Sequence, residues 1–454
     1  MPIQSRNPTT GEIAKTFSEL TDDELKTKLE IAQATFEHWR GNDYSSRAAK
    51  LQKAAEVLKT NSRTYGELAT LEMGKPIKQA IAEVEKCAWV CEYYAHEAER
   101  MLSPEYIKTD GTKSYVRFDP LGIVLAVMPW NFPFWQVFRF IAPASMAGNV
   151  GLLKHASNVP QCAAAIEDVF AKAGFPEGVF QNLYISSPKV ESVLRDPRVK
   201  AVTLTGSEWA GRKVAEIAGD EIKHSVLELG GSDPFIVLAD AKLEEACSAA
   251  VNARLQNNGQ SCIAAKRFIV VESIAEQFVD LYIKKFESLS VGDPMNENTD
   301  LGPLVNEQSL NEIQKQINDS VAKGARILCG GRRIKCPGYF FEPTILGDVS
   351  PGMPAYEQEI FGPVASIIKV KDASEAIRVA NDSRFGLGAS LWTSDMNLAE
   401  QLAADIEAGA VFINSMVKSD PRLPFGGIKK SGYGRELSHY GIKEFVNTKT
   451  VWMK

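Results

Sequence analysis

The sequence predicts an α/β protein with a parallel sheet, followed by a second α/β region. Short β-rich runs (IVLAVM, VGLLK, FQNLYI and KAVTL) lie between residues 121 and 238, separated by helical patterns of about ten to fifteen residues. A second stretch, from about 231 to 430, contains the runs RFIVV, ASIIKV and AVFIN, with helical patterns near 242–257, 274–288 and 308–323. A chain of 454 residues is long enough for two or three domains with their own cores, and its ordinary share of glycine and proline excludes collagen-like and low-complexity classes.

The first hundred residues are predicted to be helical. Thr21 and Glu24 form the pattern of a capping box, which opens an amphipathic run to about Arg40. A longer helical pattern extends from Ile77 to about Leu102. Cys87 and Cys91 share one face of that helix, and because no second ligand pair lies nearby in the sequence we interpret them as core residues.

Two segments predict a β-ribbon. Polar and apolar residues alternate from Tyr106 to Phe118 around Asp110 and Gly111, a dipeptide that accepts the positive φ angles of a tight hairpin turn. The tail after Arg435, which ends in EFVNTKTVWMK, alternates in the same way and is typical of an edge strand.

Charge and composition exclude several classes of function. The chain has 51 Lys and Arg residues and 57 Asp and Glu residues, which gives a net charge of −6, and it contains no dense basic run. Nucleic acid is therefore not an expected partner. The first residues lack the apolar core of a signal peptide, and the most apolar stretch, 121–138, is too interrupted by prolines and polar residues for a membrane span. Seven cysteines without a CxxC pair predict reduced thiols, and five scattered histidines predict no metal site. We therefore expect a cytoplasmic protein that works without metal or membrane.

Two motifs contain candidate catalytic side chains. Cys262 ends the motif NGQSC, a Gly-rich polar turn after a predicted helix, which favours a thiol that is reachable and constrained. A single intracellular cysteine is usually structural, so Cys262 needs partners to act as a nucleophile. Glu228 ends the run SVLE before the paired glycines of ELGGSDP, where open α/β sheets form ligand crevices. It could activate a water or a thiol there, and a solvated Glu in a glycine-rich turn is an equal alternative.

Two further motifs follow predicted strands. Asn131 lies in PWNFP, where prolines and aromatic residues would hold its amide in a fixed pose suited to an oxyanion, although a satisfied buried Asn in a turn has the same pattern. Gly206 and Ser207 follow the run KAVTL and begin a helix whose exposed N–H groups favour an anion. This helix start is not a GxGxxG motif, and by itself it is a weak indication of an anion-binding site.

Seven motifs together resemble a known family. PWNFP, LLKHAS, TGS, ELGGSDP, GQSC, EIFGPV and PFGGIKKSGYGRE have the order and spacing of the aldehyde dehydrogenase superfamily and span nearly the whole chain. The run PWNFPFWQVFRF resembles, more specifically, the short succinate-semialdehyde dehydrogenases of bacteria. The resemblance implies a Rossmann-type dinucleotide-binding domain (1–101 and 120–229), an α/β catalytic domain (230–434) and a β oligomerisation ribbon (102–119 and 435–454). Because so thin a ribbon is unstable alone, we expect it to pair with another subunit in a homodimer or homotetramer.

The resemblance also implies catalytic roles. Cys262 would attack the aldehyde carbonyl to form a thiohemiacetal, while the amide of Asn131 and the backbone N–H of Cys262 hold the oxyanion. Transfer of a hydride to the nicotinamide then leaves a thioester, and Glu228 would deprotonate the water that hydrolyses it.

The implied cofactor is NADP, preferred over NAD. NAD-preferring relatives have a Glu three residues after the motif lysine, whereas here Lys154 is followed at that place by Ser157, which would accept a 2′-phosphate that a carboxylate repels. Glu359 would hold the nicotinamide ribose, with Phe361 near the ring. The other residues expected around the cofactor are Trp130, Gly206, Ser207 and Leu229.

The implied substrate is succinate semialdehyde, oxidised to succinate. Arg139, nine residues after Trp130, and Ser419, five residues before Pro424, match positions that bind the distal carboxylate in the succinate-semialdehyde enzymes. Gln256 stands where larger relatives have a second arginine, which leaves one charged anchor. Glutarate semialdehyde or a range of aliphatic aldehydes is therefore the alternative. From other classes, a cofactor-independent thiol esterase and a non-catalytic, crystallin-like protein are disfavoured by the motifs that the chain retains.

Overall fold

A computed structural model describes residues 3–454 of the chain. Within these residues the helices are α1 (Asp22–Trp39), α2 (Tyr44–Thr60), α3 (Ser62–Met73), α4 (Ile77–Met101), α5 (Trp135–Ala147), α6 (Pro160–Lys172), α7 (Lys189–Arg195), α8 (Glu208–Asp220), α9 (Leu243–Leu255), α10 (Glu272–Glu287), α11 (Glu307–Val321), α12 (Pro354–Glu357), α13 (Ala373–Asn381), α14 (Met396–Asp405) and α15 (Ser438–Gly441). The strands are β1 (Ile3–Arg6), β2 (Ile13–Phe17), β3 (Glu105–Tyr106), β4 (Lys113–Pro120), β5 (Ile123–Met128), β6 (Val150–His155), β7 (Phe180–Asn182), β8 (Val199–Thr205), β9 (His224–Glu228), β10 (Pro234–Val237), β11 (Arg267–Val271), β12 (Arg326–Cys329), β13 (Thr344–Gly347), β14 (Val364–Val370), β15 (Phe385–Gly386), β16 (Gly388–Trp392), β17 (Ala410–Ile413), β18 (Ile428–Lys429), β19 (Gly432–Tyr433) and β20 (Val446–Met453).

The first large sheet confirms the predicted βαβ alternation. Its order is β19-β9-β8-β5-β6-β7, and all neighbours are parallel except β19, which is antiparallel to β9. The chain passes from β5 outwards to β6 and β7, and then returns to the other side of β5 to form β8 and β9. The direction of winding therefore changes between β5 and β8, which is where open sheets of this kind bind ligands, at the carboxyl ends of the strands.

The second large sheet has the order β12-β13-β14-β11-β10-β16-β17 and is parallel except for β12 at its edge. The predicted runs RFIVV and ASIIKV lie in β11 and β14, and the first four residues of AVFIN form β17. Strand β16, with the sequence GASLW, was not predicted, because its small residues lack the β-branched pattern of its neighbours.

The N-terminal helices begin as the sequence predicts. The Thr21 side chain caps α1 by accepting from the backbone N–H of Glu24, and the Glu24 carboxylate accepts from the backbone N–H of Thr21. Helix α4 extends over 25 residues, and both Cys87 and Cys91 are fully buried along it. Their interpretation as core residues is therefore confirmed.

The ribbon has three antiparallel strands in the order β20-β4-β3, and β20 is the predicted edge strand. The expected tight turn is wrong, because residues 107–112 connect β3 to β4 and neither Asp110 nor Gly111 has a positive φ angle. Glycine is needed at 111 for another reason. A Cβ atom there would lie 2.5 Å from the Met453 carbonyl oxygen and from the Trp452 indole nitrogen, so the close approach of β20 excludes a side chain.

Residues 3–454 contain no membrane-spanning helix, no cluster of metal ligands and no disulfide bond. No helix in this part of the chain combines the length and apolarity needed to cross a bilayer. No group of three or more His, Cys, Asp or Glu side chains in the same range could hold a metal ion. All seven cysteines are free thiols.

Candidate active site

Two cavities meet at Cys262. The first has a volume of about 430 Å³, and the second, on the other side of the cysteine, about 240 Å³. The first is lined by most of the residues predicted for the cofactor and the oxyanion, namely Trp130, Asn131, Gly206, Ser207, Leu229, Glu359 and Phe361. The second contains both residues predicted for the substrate carboxylate, Arg139 and Ser419. The thiol is therefore placed between two separate binding spaces.

The topology of the first sheet explains why these residues meet. Parallel strands present their carboxyl ends at one edge, and β5, β8 and β9 end just before PWNFP, Gly206 and the paired glycines, respectively. Thr205 at the end of β8 lies beside Glu228 at the end of β9, while Lys154 near the end of β6 lies beside Val127 of β5. Motifs that are distant in sequence are thus assembled along a single sheet edge.

The turn before Cys262 has an unusual backbone. Asn257, Asn258 and Gly259 have φ angles of 57°, 58° and 73°, so three consecutive residues adopt the left-handed region. Such a turn persists only when its surroundings compensate for the strain. The Asn258 amide provides this by donating to the carbonyl oxygens of Gly74 at 2.8 Å and Pro303 at 2.9 Å.

Lys266 holds the other side of the cysteine. Its ammonium group donates to the carbonyl oxygens of Ser261 at 2.8 Å and Cys262 at 2.6 Å. Burial raises the pKa of the Cys262 thiol to about 12, although the positive charges of Lys266 and Arg139 oppose the shift. At neutral pH the thiol is therefore protonated, and a base must remove its proton before it can attack a carbonyl.

The Asn131 amide is fixed beside the same turn. Its side chain donates one N–H to the Gln260 carbonyl oxygen at 3.1 Å, and the backbone carbonyl oxygen of Asn131 accepts from the side-chain amide of Asn257 at 2.8 Å. An amide nitrogen carries two hydrogens, so a second N–H remains for an oxygen in the first cavity. This arrangement fits the predicted role in oxyanion binding.

The side chains of His155 and Glu83 bind the backbone of the PWNFP loop, which contains Asn131. The Nδ1 atom of His155 accepts from the N–H of Ala156, and its Nε2 atom donates to the Pro133 carbonyl oxygen at 2.8 Å. Burial lowers the pKa of His155 to about 4, which keeps the ring neutral and suits this pair of bonds. Glu83 accepts from the backbone N–H groups of Phe134 and Trp135, both at 2.9 Å.

Glu228 lies at the end of β9 and lines neither cavity. Its carboxyl group is packed against Gly426, where a Cβ atom would lie 2.7 Å from Oε1, and neither of its oxygens has a hydrogen-bond partner among residues 3–454. Burial, reinforced by the nearby Glu436, raises its pKa well above the ordinary range. In this arrangement burial favours the protonated carboxyl group, and the side chain must turn from Gly426 to reach the thiol.

The end of the first cavity nearest the cysteine is formed by Glu359 and two aromatic rings. Trp130 and Phe361 are perpendicular, with ring centroids 5.8 Å apart. The Oε1 atom of Glu359 accepts from the N–H of Gly231 at 3.1 Å and lies 3.3 Å from the Lys266 ammonium group. Its carboxylate is therefore oriented before any ribose arrives.

The outer part of the sheet edge fits an anionic cofactor. Ser207 is the N-cap of α8, so the free N–H groups of that helix face the crevice. Lys154 is buried and forms no ion pair with the described residues, and burial lowers its pKa. Ser157 is exposed three residues further on, outside the cavity at Cys262. A buried ammonium group without an anion suits a phosphate.

Arg139 and Ser419 lie together in the second cavity, as expected, but Arg139 already has a partner. Its Nε atom forms a buried ion pair with Glu436, and its Nη2 atom donates to the Thr205 hydroxyl at 3.3 Å. The guanidinium group also lies 4.6 Å from the centre of the Phe425 ring. The positive charge of Arg139 is thus largely balanced within the protein.

Three charged residues at this site were not predicted from the sequence: Lys86, Lys266 and Glu436. A signal for Lys86 did exist, because Glu83 and Lys86 are charged residues within or beside the buried stripe of α4, where only apolar side chains are expected. Nothing in the sequence pairs Glu436 with Arg139, which lies 297 positions earlier.

Comparisons with known proteins find similarity along nearly the whole chain. The model of the aldehyde dehydrogenase family matches residues 1–451. The chain is 55% identical to a probable succinate-semialdehyde dehydrogenase [NADP(+)] of Synechocystis and 53% identical to succinate-semialdehyde dehydrogenase [NADP(+)] 1 of Mycobacterium tuberculosis, with all of both chains covered in each case. The crystal structure of succinic semialdehyde dehydrogenase from Streptococcus pyogenes, in complex with NADP+, has 42% identity and a TM-score of 0.97 over 99% of both chains. A match of this extent, together with the cysteine turn between two cavities, shows that the chain belongs to the aldehyde dehydrogenase family.

Proposed function

We propose that this protein oxidises succinate semialdehyde to succinate, with NADP+ as its preferred cofactor and NAD+ as a weaker one. The observation that carries the proposal is the pair of cavities that meet at Cys262. One cavity contains cationic side chains beside Ser419, and the other lies at the carboxyl ends of the strands of the first sheet, where dinucleotides bind in folds of this kind. The names of the relatives from Synechocystis and Mycobacterium tuberculosis support the same substrate and cofactor.

The first chemical step is the attack of the Cys262 sulfur on the aldehyde carbon. The carbonyl π electrons move to the oxygen, which becomes an oxyanion within reach of the free N–H of Asn131 and the backbone N–H of Cys262. Because the thiol is protonated at rest, its proton passes to solvent water as the sulfur attacks, and Glu228 is reserved for the later hydrolysis.

The NADP+ nicotinamide, when bound, supplies the hydride acceptor that converts the thiohemiacetal into a thioester. Glu359 would hold the nicotinamide ribose, and Trp130 and Phe361, which line the same cavity, would pack near the nicotinamide ring. Ser207, as the N-cap of α8, and the buried Lys154 would bind phosphate groups of the cofactor along the sheet edge.

The last step is hydrolysis of the thioester. Glu228 would turn from Gly426 towards Cys262 and take a proton from the attacking water. The water oxygen then forms the new carboxyl group, and the thiol leaves. We propose this movement because the carboxyl group has no hydrogen bond to break in its present position.

A steady-state assay tests the proposal. We expect the kcat/KM for succinate semialdehyde to exceed that for butanal by more than tenfold, since a bound carboxylate is worth at least about 1.4 kcal/mol. We also expect a lower KM for NADP+ than for NAD+. Equal values for the two aldehydes would reduce the function to that of a general aliphatic aldehyde dehydrogenase.

The Ser157→Glu variant should reverse the cofactor preference. The new carboxylate repels the 2′-phosphate beside Lys154 and provides an acceptor for the ribose hydroxyls of NAD+, so the KM for NADP+ should rise at least about tenfold more than that for NAD+. Initial rates at varied cofactor concentration measure both values. Ser192→Glu, an exposed change on α7, is the matched control. Unchanged cofactor affinities in Ser157→Glu would contradict the assignment.

The Arg139→Ala variant should lose selectivity for the distal carboxylate. Removing one partner of a buried charge contact costs about 2–5 kcal/mol, so the kcat/KM for succinate semialdehyde should fall by roughly thirtyfold or more relative to that for butanal. Loss in equal proportion for both substrates would show that Arg139 acts only through its ion pair with Glu436.

We also propose the organisation implied by the family resemblance. The dinucleotide-binding domain comprises 1–101 and 120–229, the catalytic domain 230–434, and the oligomerisation ribbon 102–119 and 435–454. Exposed aromatic residues at the ribbon, such as Tyr106 and Trp452, support its pairing with another subunit in a homodimer or homotetramer. Seven free thiols suit the reducing cytoplasm.

A further inference from the structure

The ammonium group of Lys86 faces the second cavity instead of the solvent around its helix. It lies on α4, and its side chain reaches into the second cavity, where Nζ donates to the Ser419 hydroxyl at 2.7 Å. The ammonium group also lies 4.3 Å from the centre of the Trp135 ring. These contacts direct the charge into the space beside Cys262 rather than into bulk solvent.

The charge of Lys86 is not balanced by the acids around it. Glu83, one turn earlier on α4, is engaged by Lys75 and by two backbone N–H groups. Asp420 binds Arg422 through two hydrogen bonds, at 2.7 and 2.9 Å. No carboxylate of residues 3–454 lies within 4.0 Å of the Lys86 ammonium group. An ammonium group carries three donors, and Ser419 uses one of them.

In the same cavity the positive charge of Arg139 is already balanced, because its guanidinium group is paired with Glu436. The excess positive charge that faces Cys262 therefore comes from Lys86. A ligand that completes this site must be an anion small enough for about 240 Å³, with its other end at the thiol.

We propose that Lys86 is the principal carboxylate-binding residue of the substrate cavity and determines the preference for an aldehyde with a distal carboxylate. Ser419 orients the ammonium group, and Arg139 provides the second donor while it balances Glu436. This inference rests on the proposed function, because it assigns to Lys86 the selectivity that the oxidation of succinate semialdehyde requires.

The site has a pH dependence that follows from this geometry. Burial, together with the positive charge of Arg139, lowers the pKa of Lys86 to about 8. Binding of a carboxylate requires the charged form, so selectivity is complete below this pKa and is lost as the pH rises through it. The other titratable or charged groups that face Lys86 or line the cavity are Glu83 and Cys87 on α4, Arg139 on α5, Cys262, and Lys418 and Asp420.

The test compares two substrates across pH in the full-length enzyme. The quantity measured is the ratio of kcat/KM for succinate semialdehyde to that for butanal, from pH 6.5 to 9.5, because ionisation of Cys262 affects both substrates and cancels. In the wild type we expect the ratio to be constant at low pH and to fall at least fivefold through a pKa near 8. In Lys86→Met we expect a ratio at least about thirtyfold lower at pH 7, a loss no smaller than that in Arg139→Ala, and no fall with pH, which separates Lys86 from Lys418. Lys78→Met, the same change at an exposed position of α4, is the matched control.

Two results would overturn the inference. One is a wild-type ratio that is high and independent of pH over this range. The other is a Lys86→Met enzyme that retains the wild-type ratio. The wild-type profile needs no variant, so it decides the question even if Lys86→Met does not fold. A wild type without any preference for succinate semialdehyde would instead contradict the proposed function itself.

Discussion

Replacing Cys262 with alanine is expected to abolish the reduction of NADP+ by the aldehyde, with a loss of roughly four orders of magnitude or more. The physical reason is that no other thiol lies at the meeting point of the two cavities. Without the sulfur, the substrate stays a planar aldehyde, and no tetrahedral adduct exists from which a hydride can leave. Absorbance at 340 nm in steady state measures the loss, and fluorescence quenching on addition of NADP+ checks that the cofactor still binds.

Cys336→Ala is the control for this result. Cys336 is exposed, so its removal changes the number of thiols without opening a hole in the core. Substantial turnover by Cys262→Ala, or a comparable loss in Cys336→Ala, would contradict the assignment of Cys262 as the nucleophile.

The Glu228→Gln variant should separate the two halves of the reaction. Glutamine has a similar shape but cannot take a proton from water, so the steady-state rate should fall by about 10²–10⁴-fold. Formation of the thioester should persist, and rapid mixing should show a burst of NADPH equal to the number of active sites. The wild-type rate should rise with pH through the raised pKa of Glu228, because the base form is the carboxylate, and the variant should lack that rise.

Disappearance of the burst together with the steady-state rate would give Glu228 a different role, as the base that activates Cys262. Glu276→Gln, an exposed change on α10, serves as the matched control and should retain both phases.

The fold could be predicted best where the chain forms continuous β-branched runs. IVLAVM and RFIVV coincide with β5 and β11 to the residue, because both faces of these strands are buried and nothing polar interrupts them. Prediction failed where the local sequence lacks a strong pattern, as in β16, or where a distant segment decides the conformation. At Gly111 the decisive neighbours are Trp452 and Met453, more than 300 positions later.

At the site, too, features set by local sequence could be predicted and features set by distant segments could not. Motifs at strand ends could be placed near one another, because parallel strands end at a common edge. The electrostatics could not be predicted, since the charge of Arg139 is balanced by Glu436 and the pKa of Lys86 is lowered by its burial beside Arg139. The packing of Glu228 against Gly426 could not be predicted either, because it depends on two segments that lie nearly 200 residues apart in the sequence.

The two cavities at Cys262 also have a consequence for the order in which products leave. The first reaches the surface at the exposed Gln308, and the second at the exposed Lys418. With the cofactor in one and the organic acid in the other, each product has its own exit, and neither must wait for the other to depart. Accumulated succinate would then slow turnover by competing with the aldehyde, while leaving the exchange of NADPH for NADP+ unobstructed.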